Sequence, residues 1–328
     1  MTAIETSDIP PLPETYRRRP ANLGDLQEVT DFYNACEIDE FGEPDYEVEE
    51  VEEEWSGLDL ARDVLLVESA TGEITGSMTV FPRGGGVFDA SGYVHPQHQN
   101  RGIGGYIVEW SEWRALLDFA EPSEDGSLLV RNWVAGSNQP AGQLLRDSGY
   151  RQVKRFSRMQ IELSTEPATP ALPHGIELLE LDLDRDIESV YEVVDESFAE
   201  HWSGSLRTFE SWKKYALGSG FDASLWSQAV RHGQKVGVAI GRNQSGYGWI
   251  QWVGVLKNER GKGLGSALMK HQFHQFWKLG VRSIGLGVDS ENTTGALDLC
   301  LKAGMRMTRS HDAFEKKLLP DGERLQRD

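Results

Sequence analysis

The sequence predicts an α+β fold that is used twice, in two tandem domains that each contain a mixed, mostly antiparallel sheet flanked by helices. One observation is a repeated glycine-rich segment, in which residues 93–110 (YVHPQHQNRGIGGYIVEW) align with residues 254–271 (GVLKNERGKGLGSALMKH). A second is a repeat further along, in which residues 137–150 (SNQPAGQLLRDSGY) align with residues 291–305 (ENTTGALDLCLKAGM). Two motifs that recur in the same order at nearly the same spacing indicate a duplicated domain.

A segment with the composition of a linker separates the two copies. Residues 163–175 (LSTEPATPALPHG) contain three prolines and lack a periodic apolar pattern. We therefore expect a first domain over residues 15–165, a linker over 166–175 and a second domain over 176–320.

Each half follows the order strand, helix, helix, three strands, helix, strand, helix, strand. The predicted strands are short apolar runs bounded by Gly, His and Asn, whereas the longest predicted helix repeats its apolar residues at helical spacing. In the second half the predicted elements are a strand at 176–182, helices at 185–198 and 209–217, strands at 224–230, 236–242 and 247–255, a helix at 264–279, a strand at 283–289, a helix at 293–302 and a strand at 305–318.

The composition excludes several classes of protein. With 39% hydrophobic and 26% charged residues, the 328-residue chain is typical of a soluble globular protein. It contains no apolar run of about eighteen residues and no secretory signal pattern, so we expect no membrane partner. The two cysteines, Cys36 and Cys300, cannot form a disulfide framework, which favours a reducing cytoplasm.

The net charge of −19, from 52 acidic and 33 basic residues, argues against nucleic acid as a partner, because such binding needs a basic face. Many of the acidic residues lie in the segment 37–55. This segment is either an acidic mouth that attracts a cationic amine or a solvated helix face.

The glycine-rich segment begins a helix with residues that disfavour helices. Gly261, Gly263 and Gly265 alternate before the predicted helix, with Arg260 and Lys262 beside them. The N-terminus of a helix carries unpaired N–H donors and a partial positive charge, and glycines let a phosphate approach the backbone closely. The segment therefore predicts a phosphate-binding loop.

Two common phosphate motifs do not fit this loop. A dinucleotide-binding loop needs Gly-x-Gly-x-x-Gly, but Ser266 stands where its third glycine belongs. A Walker loop needs Gly-Lys-Ser/Thr, which does not follow.

The pattern Gln/Arg-x-x-Gly-x-Gly/Ala resembles the acyl-CoA pyrophosphate signature of the GNAT superfamily of N-acyltransferases. Residues 260–265 fit this pattern, and so do residues 99–104, with Val94-His95-Pro96 as the usual lead-in. Residues 288–305 resemble the second motif of the family. The tandem arrangement is similar to that of the mycothiol synthase group, in which one half is active and the other inert.

The resemblance implies direct attack of a primary amine of a small molecule on the thioester of acetyl-CoA, with proximity as the main source of rate. A backbone N–H near Val253 to Val255 is expected to polarise the thioester carbonyl. The residues implied in acyl-CoA binding are, in the second half, Val253, Val255, Arg260, Gly261, Lys262, Gly263, Leu264, Gly265, Ser266 and Asn292. Their counterparts in the first half are Val94, Gln99, Asn100, Arg101, Gly102, Ile103, Gly104, Gly105 and Asn138.

The catalytic residues depart from the family pattern. Cys300 and Leu145 stand where the family usually has the tyrosine that protonates the leaving thiolate. Cys300 is either that acid or a small buried hydrophobic residue. Because Leu145 cannot donate a proton, we expect the first domain to be structural or weakly active.

The general base has three candidates, Glu196, His201 and a relayed water. His201 has a suitable ordinary pKa, although an ordinary surface or structural histidine is an equal alternative. His271 and His274 lie three residues apart on one helix, but no carboxylate or cysteine follows at ligand spacing, so we expect no metal site.

The leading hypothesis is thus a cytoplasmic acetyl-CoA-dependent N-acetyltransferase, monomeric or homodimeric, whose second domain acetylates a small-molecule amine. One alternative is an inert acyl-CoA-binding or regulatory protein. A second is a protein acetyltransferase that acts on N-termini or lysines.

Overall fold

The computed structural model describes residues 11–118, 126–199, 208–244, 246–291 and 295–319. Their contacts divide the chain into two compact units. Unit 1 contains the described residues up to Phe156 and those from Arg309 onward, and unit 2 runs from Ser157 to Thr308. Among the described residues, no helix is both long and apolar enough to cross a membrane.

Unit 1 is built on a sheet with helices packed against it. Its elements in chain order are β1 (Tyr16–Pro20), α1 (Leu26–Phe41), α2 (Val48–Trp55), α3 (Leu60–Asp63), β2 (Val64–Ser69), β3 (Ile74–Gly84), β4 (Val87–Val94), α4 (Ile103–Leu117), β5 (Leu128–Ala135), α5 (Gln139–Asp147) and the first part of β6 (Arg151–Glu162). The strands pair in chain order from β1 to β5, and all neighbours are antiparallel except β4 and β5, which are parallel.

Unit 2 repeats this order. Its elements are the rest of β6, β7 (Ile176–Glu180), α6 (Leu183–Phe198), α7 (Phe209–Ala216), β8 (Phe221–Arg231), β9 (Gln234–Gln244), β10 (Tyr247–Val255), α8 (Leu264–Lys278), β11 (Ser283–Asp289), α9 (Ala296–Lys302) and the start of β12 (Arg306–Leu318). Again the pairs are antiparallel from β7 to β10, and β10 and β11 are parallel. Every element predicted for the second half is present, so the predicted fold class is confirmed.

The compact units differ from the predicted domains at both ends. Strand β6 carries residues 157–162 into unit 2, and β12 returns to unit 1 at Arg309, where residues 311–318 pair with β5. The apolar pattern of a strand shows that it lies in a sheet but not which sheet it joins, so the sequence did not indicate this exchange. The domain boundaries 15–165 and 176–320, with a linker over 166–175, remain a prediction.

Helix α8 shows how the apolar pattern builds the core of unit 2. Leu264 and Leu268 pack in one buried cluster with strands β8 and β9, whereas Phe273 and Phe276 join the main cluster of the unit. The predicted helical stripe is therefore the face that α8 buries against the sheet.

The acidic segment 37–55 forms the end of α1 and all of α2. Helix α2 buries Val51 and Trp55 and exposes Glu49, Glu52 and Glu53. This part of the segment is a solvated helix face, which was one of the two alternatives.

Candidate functional site

In the loop between β10 and α8, several backbone N–H groups have no partner among the residues that the structure describes. Gly261 and Gly263 have φ of +73° and +85°, the left-handed conformation that favours glycine. Gly263 is the N-cap of α8, and no side chain caps the helix. Apart from chain neighbours, no atom of the described residues lies within 4 Å of a Cβ added at either glycine, so this part of the structure leaves space around the loop. The loop thus presents uncapped amides at the positive end of a helix dipole, as an anion site requires.

The third glycine of the loop, Gly265, allows close packing between helices. A Cβ at Gly265 lies 3.4 Å from Leu299 of α9 and 3.9 Å from Val255, and a Cβ at Gly104 lies 3.0 Å from Leu144 of α5. In both units this glycine therefore lets the helix after the loop pack closely on the next helix. Its backbone conformation is not strained.

The cationic side chains of the loop are engaged within unit 2. Arg260 donates from Nη2 to the carbonyl oxygen of Ser197, at 3.0 Å, and from Nε to that of Val255, at 3.1 Å. Lys262 lies 3.3 Å from Glu259 and keeps a half-exposed side chain. The Arg260 side chain thus joins the end of α6 to the end of β10, and its part in binding an anion stays a prediction.

Strands β10 and β11 separate in the direction of the loop. They pair from Tyr247 opposite Ser283 to Trp249 opposite Gly285, and the described residues beyond this point form no further pair. In unit 1 the matching strands stay paired for longer, from Val87 to Ser91 of β4. The opening between the strands is thus deeper in unit 2.

A β-bulge at Gln251 lies where the strands separate. Ile250 pairs with Gly241, but Trp252 pairs with Ile240, so Gln251 is the extra residue on β10. A one-residue shift exchanges the two faces of a strand. Before the bulge, Gly248 faces Phe276 of α8.

After the bulge, the odd-numbered residues of β10 face α8 instead. Val253 and Val255 pack on the cluster that contains Leu264 and Leu268 of α8. Gly254 faces Ser197 of α6. The bulge therefore changes which side chains and which backbone groups of β10 border the opening.

The ladder with β9 fixes the direction of the backbone groups of β10. Leu256 N–H donates to the carbonyl oxygen of Val236, at 3.0 Å. Hydrogen-bonded pairs alternate along an antiparallel ladder, so Gly254 also bonds to β9. The N–H groups of Val253 and Val255 consequently point to the other side, into the opening toward β11.

The predicted acid, Cys300, lies in the hydrophobic core of unit 2 with 2% of its surface exposed. Burial raises the pKa of its thiol to about 11. Its counterpart in unit 1, Leu145, is equally buried. This placement favours the alternative of a small buried hydrophobic residue.

Of the other two predicted catalytic residues, Glu196 lies within the described part of the chain. Glu196 lies on the exposed face of the last turn of α6. His201 and Asn292 lie outside the described residues. Asn138 caps α5, since its Oδ1 accepts the N–H of Ala141 at 3.0 Å.

Ser197 is a site residue that the sequence reasoning missed. Its hydroxyl is buried and has no hydrogen-bond partner among the described residues. It lies so close to β10 that a Cβ on Gly254 would be 3.0 Å from Ser197 Oγ. The available signal was the glycine inside a strand, which marks a close approach of another chain segment.

Unit 1 has a tyrosine where unit 2 has Gly254. Tyr93 packs against the rings of Tyr33 and Tyr46 and donates a hydrogen bond to Glu37. Glu37 in turn pairs with the buried Arg309, at 2.8 Å. Buried side chains thus fill the region beside β4.

The loop of unit 1 has the same backbone form but different surroundings. Gly102 has φ of +84°, and a Cβ there lies 3.6 Å from Pro13. The Tyr16 hydroxyl lies 3.4 Å from Arg101 Nη1 and 2.9 Å from His98 Nδ1. Burial and the neighbouring Arg101 lower the pKa of His98. The segment before β1 therefore lies against this loop, whereas the loop of unit 2 is open.

Comparisons with known proteins agree with these features. A family model described as the acetyltransferase (GNAT) family matches residues 187–305, within unit 2. The solved structure of a GCN5-related N-acetyltransferase from Sphaerobacter thermophilus is 31% identical, with a TM-score of 0.86 over 94% of this chain and 98% of that chain. A tandem GNAT protein from the clavulanic acid biosynthesis pathway, 15% identical, shares the fold with a TM-score of 0.68 over 92% of this chain and 98% of its own.

Curated relatives are named mycothiol acetyltransferase. The one from Thermobispora bispora is 30% identical over 207 residues, which cover 61% of this chain and 66% of the relative. The one from Renibacterium salmoninarum is 28% identical over 210 residues, which cover 61% and 59%. The chain thus spans slightly less than two thirds of the length of these relatives. With a tandem fold, an uncapped glycine-rich helix start and a related solved structure that it matches almost end to end, the chain belongs to the GNAT family of acetyltransferases.

Proposed function

We propose that unit 2 transfers the acetyl group of acetyl-CoA to a primary amine of a small molecule. The observation that carries this proposal is that β10 and the start of α8, which follows it, present free N–H groups next to each other. The N–H groups of Val253 and Val255 point into the opening beside β10. The same strand leads directly into the uncapped start of α8.

These features match the two ends of an acyl-CoA. Its phosphates are anions, which the free amides of residues 261–266 can bind. Its pantetheine arm carries amide groups that can pair with the open edge of β10 as an added strand does. Gly263 and Gly261 leave the space that the phosphates need.

In the proposed reaction the amine nitrogen attacks the thioester carbon, so that a C–N bond forms and the C–S bond breaks. A backbone N–H of Val253 or Val255 donates a hydrogen bond to the carbonyl oxygen, where negative charge develops. The thiolate of CoA leaves and takes up a proton, and the amine loses one. Binding both reactants together supplies about 7–11 kcal/mol of the barrier when the geometry is right.

The candidates for the two proton transfers are those named from the sequence and the family resemblance. Glu196, His201 and a relayed water are the proposed bases. Cys300, the acid that the resemblance implies, is buried in the apolar core, so we propose a packing role for it, and the thiolate takes up its proton from water. The acceptor amine is cationic when protonated, which agrees with the net charge of −19.

Unit 1 is proposed to be structural or weakly active. Its side of β4 is filled by Tyr93 and its neighbours, and its loop lies against Pro13 and Tyr16. The proposed compartment is a reducing cytoplasm, because Cys36 and Cys300 are both free thiols.

A thiol-release assay, in which chromatography separates CoA from any thiol on the acceptor, tests this function. Acetyl-CoA is supplied with three sets of acceptors: small amines that include desacetylated mycothiol, peptides with free N-termini, and peptides with a central lysine. We expect release of CoA only with small amines. Faster release with peptides would indicate a protein acetyltransferase, and binding of acetyl-CoA without release on any acceptor would indicate an inert acyl-CoA-binding protein.

A further inference from the structure

Three side chains with metal-ligating atoms meet beside the loop of unit 1. One ligand atom each of Glu73, His95 and His98 lies within 4.8 Å of the other two, and this is the one such group among the residues that the structure describes. Glu73 lies in the turn between β2 and β3, His95 precedes the helical turn that follows β4, and His98 ends that turn. Two imidazoles and a carboxylate form a ligand set that Zn²⁺ uses with a fourth position open.

The ligand atoms lie farther apart than those around a bound zinc ion, within 4.8 Å of one another. Glu73 Oε2 lies 3.8 Å from His98 Nε2. Bonds of about 2.0–2.1 Å in a tetrahedral zinc site place ligand atoms about 3.3 Å apart. The Glu73 side chain is 50% exposed, so it has room to move toward the two rings.

A further contact orients one of the rings. The Tyr16 hydroxyl lies 2.9 Å from His98 Nδ1. A metal on Nε2 leaves the ring proton on Nδ1, and the tyrosine oxygen can accept a hydrogen bond from it. Partners of this kind hold metal-binding histidines in place.

The second ring has a weaker constraint. His95 Nδ1 accepts the N–H of Gln97 at 3.3 Å, a long contact. If the metal binds at Nε2 of His95, the ring proton moves to Nδ1 and this contact is given up. Its length makes the loss small.

The matching positions of the second repeat do not carry the same ligand set. The loop of unit 2 has Leu256 and Glu259 at the positions that correspond to His95 and His98. Glu259 instead lies 3.3 Å from Arg231 and from Lys262. A shared feature of the two glycine-rich loops therefore does not explain the histidines.

We propose that Glu73, His95 and His98 form a binding site for one Zn²⁺ ion, which joins the β2–β3 turn to the loop before α4. Imidazole ligands select zinc over Mg²⁺ and Ca²⁺, which prefer oxygen. Through Tyr16, the ion also holds the segment that lies against Gly102.

Zinc titration of the full-length chain, without a histidine tag and in competition with a coloured chelator, tests the site. The expected result is one Zn²⁺ per chain, and binding at least about tenfold weaker in His98→Ala and in His95→Ala. Tyr16→Phe keeps all three ligands and is expected to weaken binding about tenfold. The matched control is His174→Ala, which replaces an exposed histidine of unit 2 and should leave binding unchanged.

Two results would overturn the proposal. One is binding by the wild type that is no tighter than binding by the double variant His95→Ala/His98→Ala. The other is an equal loss in His98→Ala and His174→Ala. A visible spectrum of the Co²⁺-loaded wild type with the strong bands of four-coordinate cobalt supports the site, and the weak bands of six-coordinate cobalt contradict it.

Discussion

The two glycine-rich loops have nearly the same backbone and opposite surroundings. Gln99 and Arg260 precede them with the same extended conformation, and Gly102 and Gly263 have φ of +84° and +85°. Apart from chain neighbours, no described atom lies within 4 Å of a Cβ added at Gly263, whereas Pro13 lies 3.6 Å from one added at Gly102. The loop conformation alone therefore does not indicate a cofactor site, because its neighbours decide whether a phosphate can approach.

The strands that lead to these loops also differ, because β10 leaves more space beside it than β4 does. Strand β10 contains the bulge at Gln251 and leaves β11 after Trp249. Strand β4 has no bulge in its middle and remains paired with β5 to Ser91. The extra residue in β10 opens a space that the regular ladder of unit 1 closes.

The largest expected effect comes from replacing Gly254 of unit 2 with tyrosine, the residue that unit 1 has at the matching position 93. Gly254→Tyr places a ring where Ser197 now lies at contact distance, so we expect turnover to fall at least about 100-fold, or about 2.7 kcal/mol in the barrier. Steady-state rates and acetyl-CoA affinity are measured together. Gly254→Ala is the milder control, since Ser197 needs to move only slightly, and unchanged turnover in Gly254→Tyr would refute the comparison.

The next effect concerns the arginine that joins α6 to β10. Arg260→Ala removes two hydrogen bonds from a charged donor to carbonyl oxygens and should lower the free energy of unfolding by about 2–4 kcal/mol. Its counterpart Gln99 is exposed, so Gln99→Ala should change the free energy of unfolding by less than about 0.5 kcal/mol. Urea unfolding measures both, and equal effects would show that Arg260 is not a brace.

A smaller effect separates the two interpretations of Cys300. Cys300→Ser buries a hydroxyl in an apolar cluster and should cost about 1–3 kcal/mol of stability without a change in kcat. A large loss of kcat in Cys300→Ala, with acetyl-CoA binding retained, would instead establish the thiol as the acid.

The same thiol predicts a dependence on pH. Its pKa is raised from 9.0 to about 11 in the folded chain, so the neutral form favours folding. The contribution is complete below about pH 9 and is lost as the pH rises toward 11. The stability of wild type should therefore fall more steeply over this range than that of Cys300→Ala.

The smallest effect has the opposite sign. Gly105 lies in the first turn of α4 with open space around its Cα, and Ser266 occupies the matching position in α8. Gly105→Ala should raise the free energy of unfolding by about 0.5–1 kcal/mol and leave turnover unchanged. Thermal unfolding and the thiol-release assay check the two parts, and a destabilised variant would contradict the first.

The sequence predicted the elements and the loop well because both depend on local patterns. The helix of Leu264 and Leu268 and the left-handed glycines can be recognised from their spacing and composition. The bulge at Gln251 and the partner of β12 could not, since each depends on pairing between distant strands.

The same distinction applies to the site residues, because some features of the site depend on contacts between distant segments. The inward direction of Arg260 and the contact between Ser197 and Gly254 arise from packing of α6 on β10, which no local pattern records. The histidines of unit 1 were missed because Glu73 approaches them from a different hairpin.

Calorimetric titration of acetyl-CoA into the wild type, Gly263→Val and Gly102→Val tests the central claim most directly. Valine is strained at both positions, because both have φ near +85°. We predict one binding site in the wild type, its loss in Gly263→Val and its retention in Gly102→Val. No binding by the wild type, or binding that survives Gly263→Val and disappears in Gly102→Val, would contradict the account.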